Sequence, residues 1–330
     1  MKHSIIRWYI VSIIILTGIP TFSQPFFESH YLFDKDQSIA KGICNATDGG
    51  SFVLSLNSHN KFYFISRLTD SGSVVWSKRV GFANALEGDQ NYSGNKPVIA
   101  ATADGGFVIA AANSNIQTSL VKYTAAGDMV WAKVVGRESD DVRAVLVSKD
   151  GGYILANFIP NATYSVIIKT DNLGNVQWSK KITRGKSSIG IISPSIAELA
   201  DGSIIVSGGS GDLQGLAVAK LNQQGELQWL RFGSSQGQIT NSASVASKDG
   251  GVVLAAEQGL TNPMLAVVKI DASGTVLWSR KVENGPGIDD PSIVELSSGN
   301  IIIAGNHTHP GSDNTVYTDS FFCYANLGRG

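Results

Sequence analysis

Residues 150–180 read DGGYILANFIPNATYSVIIKTDNLGNVQWSK, and this stretch decides the fold. It contains two turn signatures, Asp150-Gly151-Gly152 at its start and Gly174 four residues before Trp178. Glycine and aspartate tolerate the positive φ angles that tight hairpin turns require. The runs around the turns are rich in Val, Ile and Leu and have no helical periodicity. The stretch therefore predicts β-strands joined by short turns.

The same pattern recurs along the chain. Its tryptophans are separated by 55, 47, 51 and 49 residues. Four antiparallel strands repeated at such a period are typical of the blades of a β-propeller. The first turn begins at Asp48, Asp104, Asp150, Asp201, Asp249 and, in a degenerate copy, Ser298. The second turn ends at Gly72, Gly127, Gly174, Gly225 and Gly274, followed by Trp76, Trp131, Trp178, Trp229 and Trp278.

Six units predict an all-β, six-bladed propeller of four-stranded antiparallel blades. In the fifth unit the strands are predicted at 243–247, 252–256, 265–270 and 275–282. The sixth unit supplies only the runs 301–305 and 321–326 before its turn residue Gly328, so its Trp-bearing fourth strand is missing.

The beginning of the mature chain predicts the missing strand. Phe27 lies 21 residues before Asp48, close to the spacing of 20 between Trp229 and Asp249. We therefore expect residues 26–33 to form the displaced fourth strand of blade six. Such closure leaves no open ring edge for aggregation.

Two further regularities concern side chains inside the blades. A Trp at one site per blade predicts packing between neighbouring sheets, with ligand stacking as the alternative. Five residues before each turn glycine stands a cation, which we expect to extend its charge to water or to a turn carbonyl. The cations are Arg67, Lys122, Lys169, Lys220 and Lys269, and the alignment places Cys323 there in unit six.

The two cysteines are expected to be free thiols. Cys44 occupies a position that is apolar in the other units, whereas Cys323 aligns with the cations. They fall on different strands of different blades, and a disulfide needs Cα atoms within about 7 Å.

The N-terminus predicts export. A positive start with Lys2 and Arg7 precedes an apolar run from Trp8 to Ile19 and small residues at Thr21 and Ser23. This is the layout of a signal peptide over residues 1–23, followed by the propeller over 24–330. An uncleaved anchor is the alternative, although the run is short for a membrane span. We expect no membrane span after cleavage, and a secreted protein that is extracellular or periplasmic.

The charge is nearly balanced, with 26 Lys and Arg against 27 Asp and Glu. Removal of the signal peptide leaves 24 basic residues and a net charge of −3. No cluster of cations stands out in the sequence, so nucleic acid is not expected as a partner.

The units resemble the secreted Asp-Gly-Gly propeller repeats common in Bacteroidetes-like proteins, whose pattern is D-G-G-[FY]-[IV]-[IL]-A, then K-x-D-x-x-G-x-x-x-W-S-K. Residues 150–156 and 169–180 match that pattern. The resemblance implies the fold and export, but that group carries no single activity. Gly-x-x-x-Trp is also distantly similar to the docking motif of quinoprotein-type propellers, which have eight blades and cofactor ligands not found here. The sialidase Asp-box places its aromatic residue three, not four, positions after glycine.

The loops predict where a ligand binds. Both turn signatures lie on one face of the propeller, and the opposite face carries the variable loops and the links between blades. Four links are acidic, and their carboxylates are expected near the channel mouth, where they could hold Ca²⁺. Solvated turn acids are the alternative. The residues are Asp34, Asp36, Glu87, Asp89, Asp140, Asp141, Asp289 and Asp290.

No catalytic constellation stands out, and His307 and His309 are a weak indication of a zinc site. We therefore expect a monomeric, non-enzymatic binding propeller whose ligand is a glycan or a protein, with no cofactor other than this Ca²⁺. One alternative is a polysaccharide hydrolase or lyase that uses the channel-mouth carboxylates. Another is a structural component of the cell surface.

Overall fold

The computed structural model describes residues 38–57, 62–80, 97–112, 117–136, 141–159, 164–183, 190–210, 215–233, 239–259, 264–282, 289–310 and 316–325. These residues belong to a compact unit that spans Leu32–Gly330. Every regular element in the described ranges is a β-strand. No helix among them is long and apolar enough to cross a membrane.

The strands form six antiparallel sheets, each a meander in chain order. Within the described residues five sheets have four strands and the last has three. The first three sheets contain β1 (Ser38–Asn45), β2 (Ser51–Asn57), β3 (Tyr63–Leu68), β4 (Val74–Val80), β5 (Val98–Ala101), β6 (Phe107–Ala112), β7 (Thr118–Tyr123), β8 (Met129–Val134), β9 (Asp141–Val147), β10 (Tyr153–Ile159), β11 (Tyr164–Thr170) and β12 (Val176–Ile182). The others contain β13 (Ile191–Glu198), β14 (Ile204–Ser210), β15 (Leu216–Leu221), β16 (Leu227–Phe232), β17 (Ile239–Ala246), β18 (Val252–Gln258), β19 (Met264–Ile270), β20 (Val276–Val282), β21 (Asp289–Glu295), β22 (Ile301–Pro310) and β23 (Val316–Ala325).

The apolar side chains collect in clusters between consecutive sheets. Phe52 and Leu54 of the first sheet, for example, pack with Phe107 and Ile109 of the second. The second and third strands of the four-stranded sheets are largely buried on both faces, which explains their continuous apolar runs. The first strands of successive sheets also contact one another in chain order. This is the arrangement of β-propeller blades, and we number the sheets as blades one to six.

Both predicted turns lie where the sequence places them. The Asp-Gly-Gly turn joins the first and second strands of a blade, and the second turn joins the third and fourth. Their glycines have positive φ, for example 84° at Gly151 and 76° at Gly174. Because the strands alternate in direction, both turns lie on one side, which we call the turn face. The opposite side, with the second-to-third-strand loops and the links, is the loop face.

The strand boundaries differ from the predicted ones in two blades. In blade five the first strand begins at Ile239 and the second ends at Gln258, so both are longer than expected. In blade six the predicted runs 301–305 and 321–326 leave residues 306–320 between them unassigned. They largely continue the hairpin, because β22 and β23 remain paired from Asn306 and Ser320 out to Pro310 and Val316.

The register of blade six also corrects the repeat alignment. In the complete blades the third-strand cation pairs with the residue four positions after the turn aspartate, as Lys169 pairs with Ile154. The corresponding residue of blade six, Ile302, pairs with Tyr324. Tyr324, not Cys323, therefore stands at the position of the cations. The predicted signal peptide and the predicted closing strand at residues 26–33 lie outside the described residues.

Candidate functional site

Four of the repeated tryptophans pack against the second turn of the following blade. A Cβ atom built on Gly127 would lie 2.8 Å from the ring of Trp76, and one on Gly174 would lie 2.8 Å from the ring of Trp131. Trp178 and Trp229 stand in the same relation to Gly225 and Gly274. The glycine therefore serves two purposes, because it adopts positive φ and leaves room for the ring.

The third-strand cations are bound by the aspartates of the Asp-Gly-Gly turns. Lys169 Nζ lies 2.6 Å from Asp150 Oδ2 and donates to the carbonyl oxygen of Thr170 at 3.0 Å. The turn carbonyl was expected as a partner, but the aspartate was not. The pairs are Arg67–Asp48, Lys122–Asp104, Lys169–Asp150, Lys220–Asp201 and Lys269–Asp249.

These pairs are asymmetric in burial. The Lys122 side chain is 7% exposed, whereas that of Asp104 is 65% exposed. Burial raises the pKa of Asp104, but hydrogen bonds from Lys122 and Thr102 outweigh it and lower the pKa to about 2. The repeated offset of 18 to 20 residues between aspartate and cation is the sequence signal of this pairing. In blade six both partners are replaced, by Ser298 and Tyr324.

The turn face also carries a cleft between blades three and four. It has a volume of about 340 Å³ and includes Lys149, Asp150, Glu198 and Asp201 in its lining. Its groups bind one another: Glu198 accepts hydrogen bonds from Ser148 Oγ and from the backbone N–H of Lys149, both at 2.9 Å. The charged groups of this cleft therefore join blades.

Three of the eight predicted acidic residues lie in described strands. Asp141 begins β9, and Asp289 and Asp290 begin β21, so all three stand at the loop-face ends of first strands. The Asp141 side chain is 12% exposed and forms an ion pair with Arg143. The guanidinium of Arg143 lies 6.0 Å from the ring centroid of Phe158.

The remaining predicted acids, Asp34, Asp36, Glu87, Asp89 and Asp140, lie outside the described residues. Within the described part of the chain, no three His, Cys, Asp or Glu side chains form a group that could hold a metal ion. Calcium binding by the acidic links stays a prediction.

Sequence reasoning missed a polar group at the loop-face end of blade five. Glu257 is 5% exposed, and its Oε2 accepts a hydrogen bond from Asn241 Nδ2 at 2.9 Å. The neighbouring Gln258 is 2% exposed, and its Nε2 has no hydrogen-bond partner among the described residues. The available signal was a Glu-Gln pair that ends the apolar run of β18. Burying a polar group without a partner is costly, so Gln258 indicates a contact that a ligand or water completes.

Cys44 offers no reactive group. It is a free thiol that pairs with Phe52 of β2 and packs against the apolar cluster between blades one and two, as its apolar position predicts. Burial raises its pKa to about 12, so the nucleophilic thiolate is scarce at neutral pH.

Comparison with known proteins identifies the fold. No protein-family model matches the sequence, and no curated protein matches it significantly. Among solved structures, a protein of unknown function from Dyadobacter fermentans is similar with a TM-score of 0.59, 11% identity, and coverage of 89% of this chain and 96% of that one. A neuraminidase-like protein, subtype N11, of a bat influenza virus is similar with a TM-score of 0.56 and 7% identity, and the match covers 89% of both chains. An α-L-arabinanase from Penicillium chrysogenum is similar with a TM-score of 0.54 and 13% identity, and the match covers 86% of this chain and 93% of the arabinanase. At these identities the likeness concerns the fold alone.

Proposed function

We propose that this protein is an exported six-bladed β-propeller that binds a glycan at its loop face without transforming it. Residues 26–33 complete the sixth blade in this proposal. The observation that carries the site is the polar group formed by Asn241 and the buried Glu257 and Gln258 at the loop-face end of blade five.

The distribution of polar groups over the two faces supports this choice. On the turn face the aspartates hold buried cations and cap turns, as Asp150 does for Lys169 and for the backbone N–H of Gly152. On the loop face Gln258 retains an amide N–H₂ group without a described partner. Amide, carboxylate and guanidinium groups match sugar hydroxyls, because together they supply donors and acceptors. Asp141 and Arg143 provide such groups in blade three.

A second candidate is a glycoside hydrolase that uses the same face. The loop-face ends hold two differently placed carboxylates, the buried Glu257 and the ion-paired Asp141. Hydrolysis of glycosides generally needs two carboxylic groups, one as acid and one as nucleophile or base, separated by about 5 to 9.5 Å. The fold is shared with an enzyme, the arabinanase, which supports considering this reaction class.

The test uses the mature chain, residues 24–330, and a glycan array followed by calorimetry on each hit. Glu257→Gln and Gln258→Ala should weaken binding about tenfold or more, since losing a hydrogen bond to a buried polar group costs about 1–3 kcal/mol. Asp70→Asn, an exposed acid of the turn face, is the matched control and should bind like the parent. Failure of every glycan to bind, or equal binding by all variants, would refute the proposed site.

Two additional measurements separate the alternatives. Incubation with each bound polysaccharide should release no reducing sugar; release that disappears in Glu257→Gln or Asp141→Asn would establish the hydrolase instead. A calcium titration followed by thermal melting tests the acidic links. A rise in Tm that Asp141→Asn reduces would support calcium there, and an unchanged Tm would exclude it.

A further inference from the structure

The outer strands of the blades segregate positive charge. Strands β4, β12 and β20 contain two Lys or Arg residues each, and β8 and β16 contain one each. None of these five strands contains an Asp or Glu, although the whole chain has slightly more acids than bases. The sequence alone hides this surface, because its cations occur on one strand per blade and the turns between them contain acids.

Contacts between blades show where these strands lie relative to their neighbours. Lys78 of β4 reaches Asp128 beside the start of β8 at 2.8 Å. Lys133 of β8 reaches Asn175 beside the start of β12 at 2.5 Å. The outer strands of blades one and two therefore lie next to the second turn of the following blade.

Blades one, three and five carry an additional cation three residues after the tryptophan. These residues, Arg79, Lys181 and Lys281, are exposed. Two of them rest on aromatic rings: the Arg79 guanidinium lies 5.0 Å from the ring centroid of Phe62, and Lys181 Nζ lies 3.6 Å from that of Tyr164. The rings therefore contact the charged groups themselves on one side, and both side chains remain exposed to solvent.

Protection of strand edges does not account for these three residues. Charged side chains on an edge strand prevent pairing with another chain, and one cation per strand already serves that purpose in β8 and β16. Among the five described outer strands, the extra cation occurs only in blades one, three and five.

We propose that the outer strands form a second binding surface, for an anionic polysaccharide, with Arg79, Lys181 and Lys281 as its main contacts. Blades of a propeller radiate from the channel, so their outer strands face different directions. A flexible chain can follow them from blade to blade, whereas a flat membrane meets only one or two. The choice of polysaccharide over nucleic acid rests on the proposed export of the protein. The outer-strand proposal does not depend on the loop-face site.

The test measures binding of dextran sulfate and polygalacturonate to residues 24–330 at low salt, about 50 mM NaCl, and at about 300 mM, where charges are more strongly screened. We expect the parent to bind and salt to weaken the binding. Each exposed ion contact contributes roughly a factor of two, so the triple variant Arg79→Gln/Lys181→Gln/Lys281→Gln should bind about tenfold more weakly.

A matched control removes three cations from other surfaces, in Lys41→Gln/Lys149→Gln/Lys248→Gln. It should retain binding within about twofold, and circular dichroism should show both triple variants folded. Glu257→Gln should leave this binding unchanged, which separates this surface from the loop-face site. Absence of binding by the parent, equal loss in the control, or equal binding by the outer-strand variant would overturn the proposal. Tighter binding to duplex DNA or to anionic vesicles would assign the surface to another ligand class.

Discussion

The pair formed by Asp150 and Lys169 predicts that its two partners respond differently to removal. Lys169 Nζ lies 2.6 and 2.8 Å from the two carboxylate oxygens of Asp150. The Lys169 side chain is 6% exposed, and that of Asp150 is 56% exposed. Removing the acid therefore leaves a buried ammonium group with the Thr170 carbonyl oxygen as its described acceptor. Removing the lysine leaves a carboxylate that water can solvate.

The magnitudes follow from this asymmetry. Asp150→Ala should lower the free energy of unfolding by about 3 kcal/mol, the lower end of the range for breaking a buried pair, because water reaches the acid. About 1 kcal/mol of that loss comes from the hydrogen bond that the Gly152 backbone N–H donates to Asp150. This part of the loss belongs to the turn and does not depend on the lysine. Lys169→Met fills the same space with an apolar side chain and should cost about 1 kcal/mol.

The decisive quantity is the effect of Lys169→Met in the two backgrounds. It should destabilise the parent by about 1 kcal/mol but stabilise Asp150→Ala by about 1 kcal/mol, because the unpaired charge disappears. Urea unfolding followed by tryptophan fluorescence measures all four proteins of the cycle. If Lys169→Met destabilises both backgrounds equally, the buried charge is not the source of the cost. Asp70→Ala, in an exposed turn position, is the control and should change stability by less than about 0.5 kcal/mol.

Four other predictions concern the turns, the pH response, the thiol and the ends of the chain. Gly174→Ala should destabilise by about 2–3 kcal/mol in urea unfolding, since it combines positive φ with a clash against the preceding blade's tryptophan, whereas Gly151→Ala should cost only about 1 kcal/mol. Equal costs would contradict the packing role. Folding lowers the pKa of Asp104, so its ion pair with Lys122 stabilises the protein fully above pH 3.8, and this stabilisation is lost as the pH falls towards about 2. The Tm should therefore fall between these pH values, and it should fall less in Asp104→Asn. Because the pKa of Cys44 is raised to about 12, its reaction with iodoacetamide at pH 8 should be much slower in the native than in the unfolded protein, as mass spectrometry would detect. Equal labelling rates would contradict the raised pKa. Deletion of residues 26–33 should cause unfolding or aggregation, and a deleted protein that melts like the parent would refute strand closure.

Much of the fold was predictable because the turn chemistry is local. A glycine at positive φ and an aspartate that caps its own turn are decided within five residues, as at Asp171, which accepts from the backbone N–H groups of Leu173 and Asn175. Repetition then predicted the number of units. The candidate site was harder to predict from the sequence. Glu257 can be recognised as part of a polar group only after the pairing of β17 and β18 brings Asn241 beside it.

The repeat in residues 150–180 by itself determined the strands, the turns, and the position of the tryptophan in each blade, because those features depend on neighbours along the chain. The tertiary structure decided which charges meet. Lys169 pairs with Asp150 across two strands, Lys78 with Asp128 across two blades, and Tyr324 replaces Cys323 at the cation position. These relations depend on strand register and on packing between blades. They join residues far apart in the sequence, and the spacing of residue types predicts such contacts only weakly.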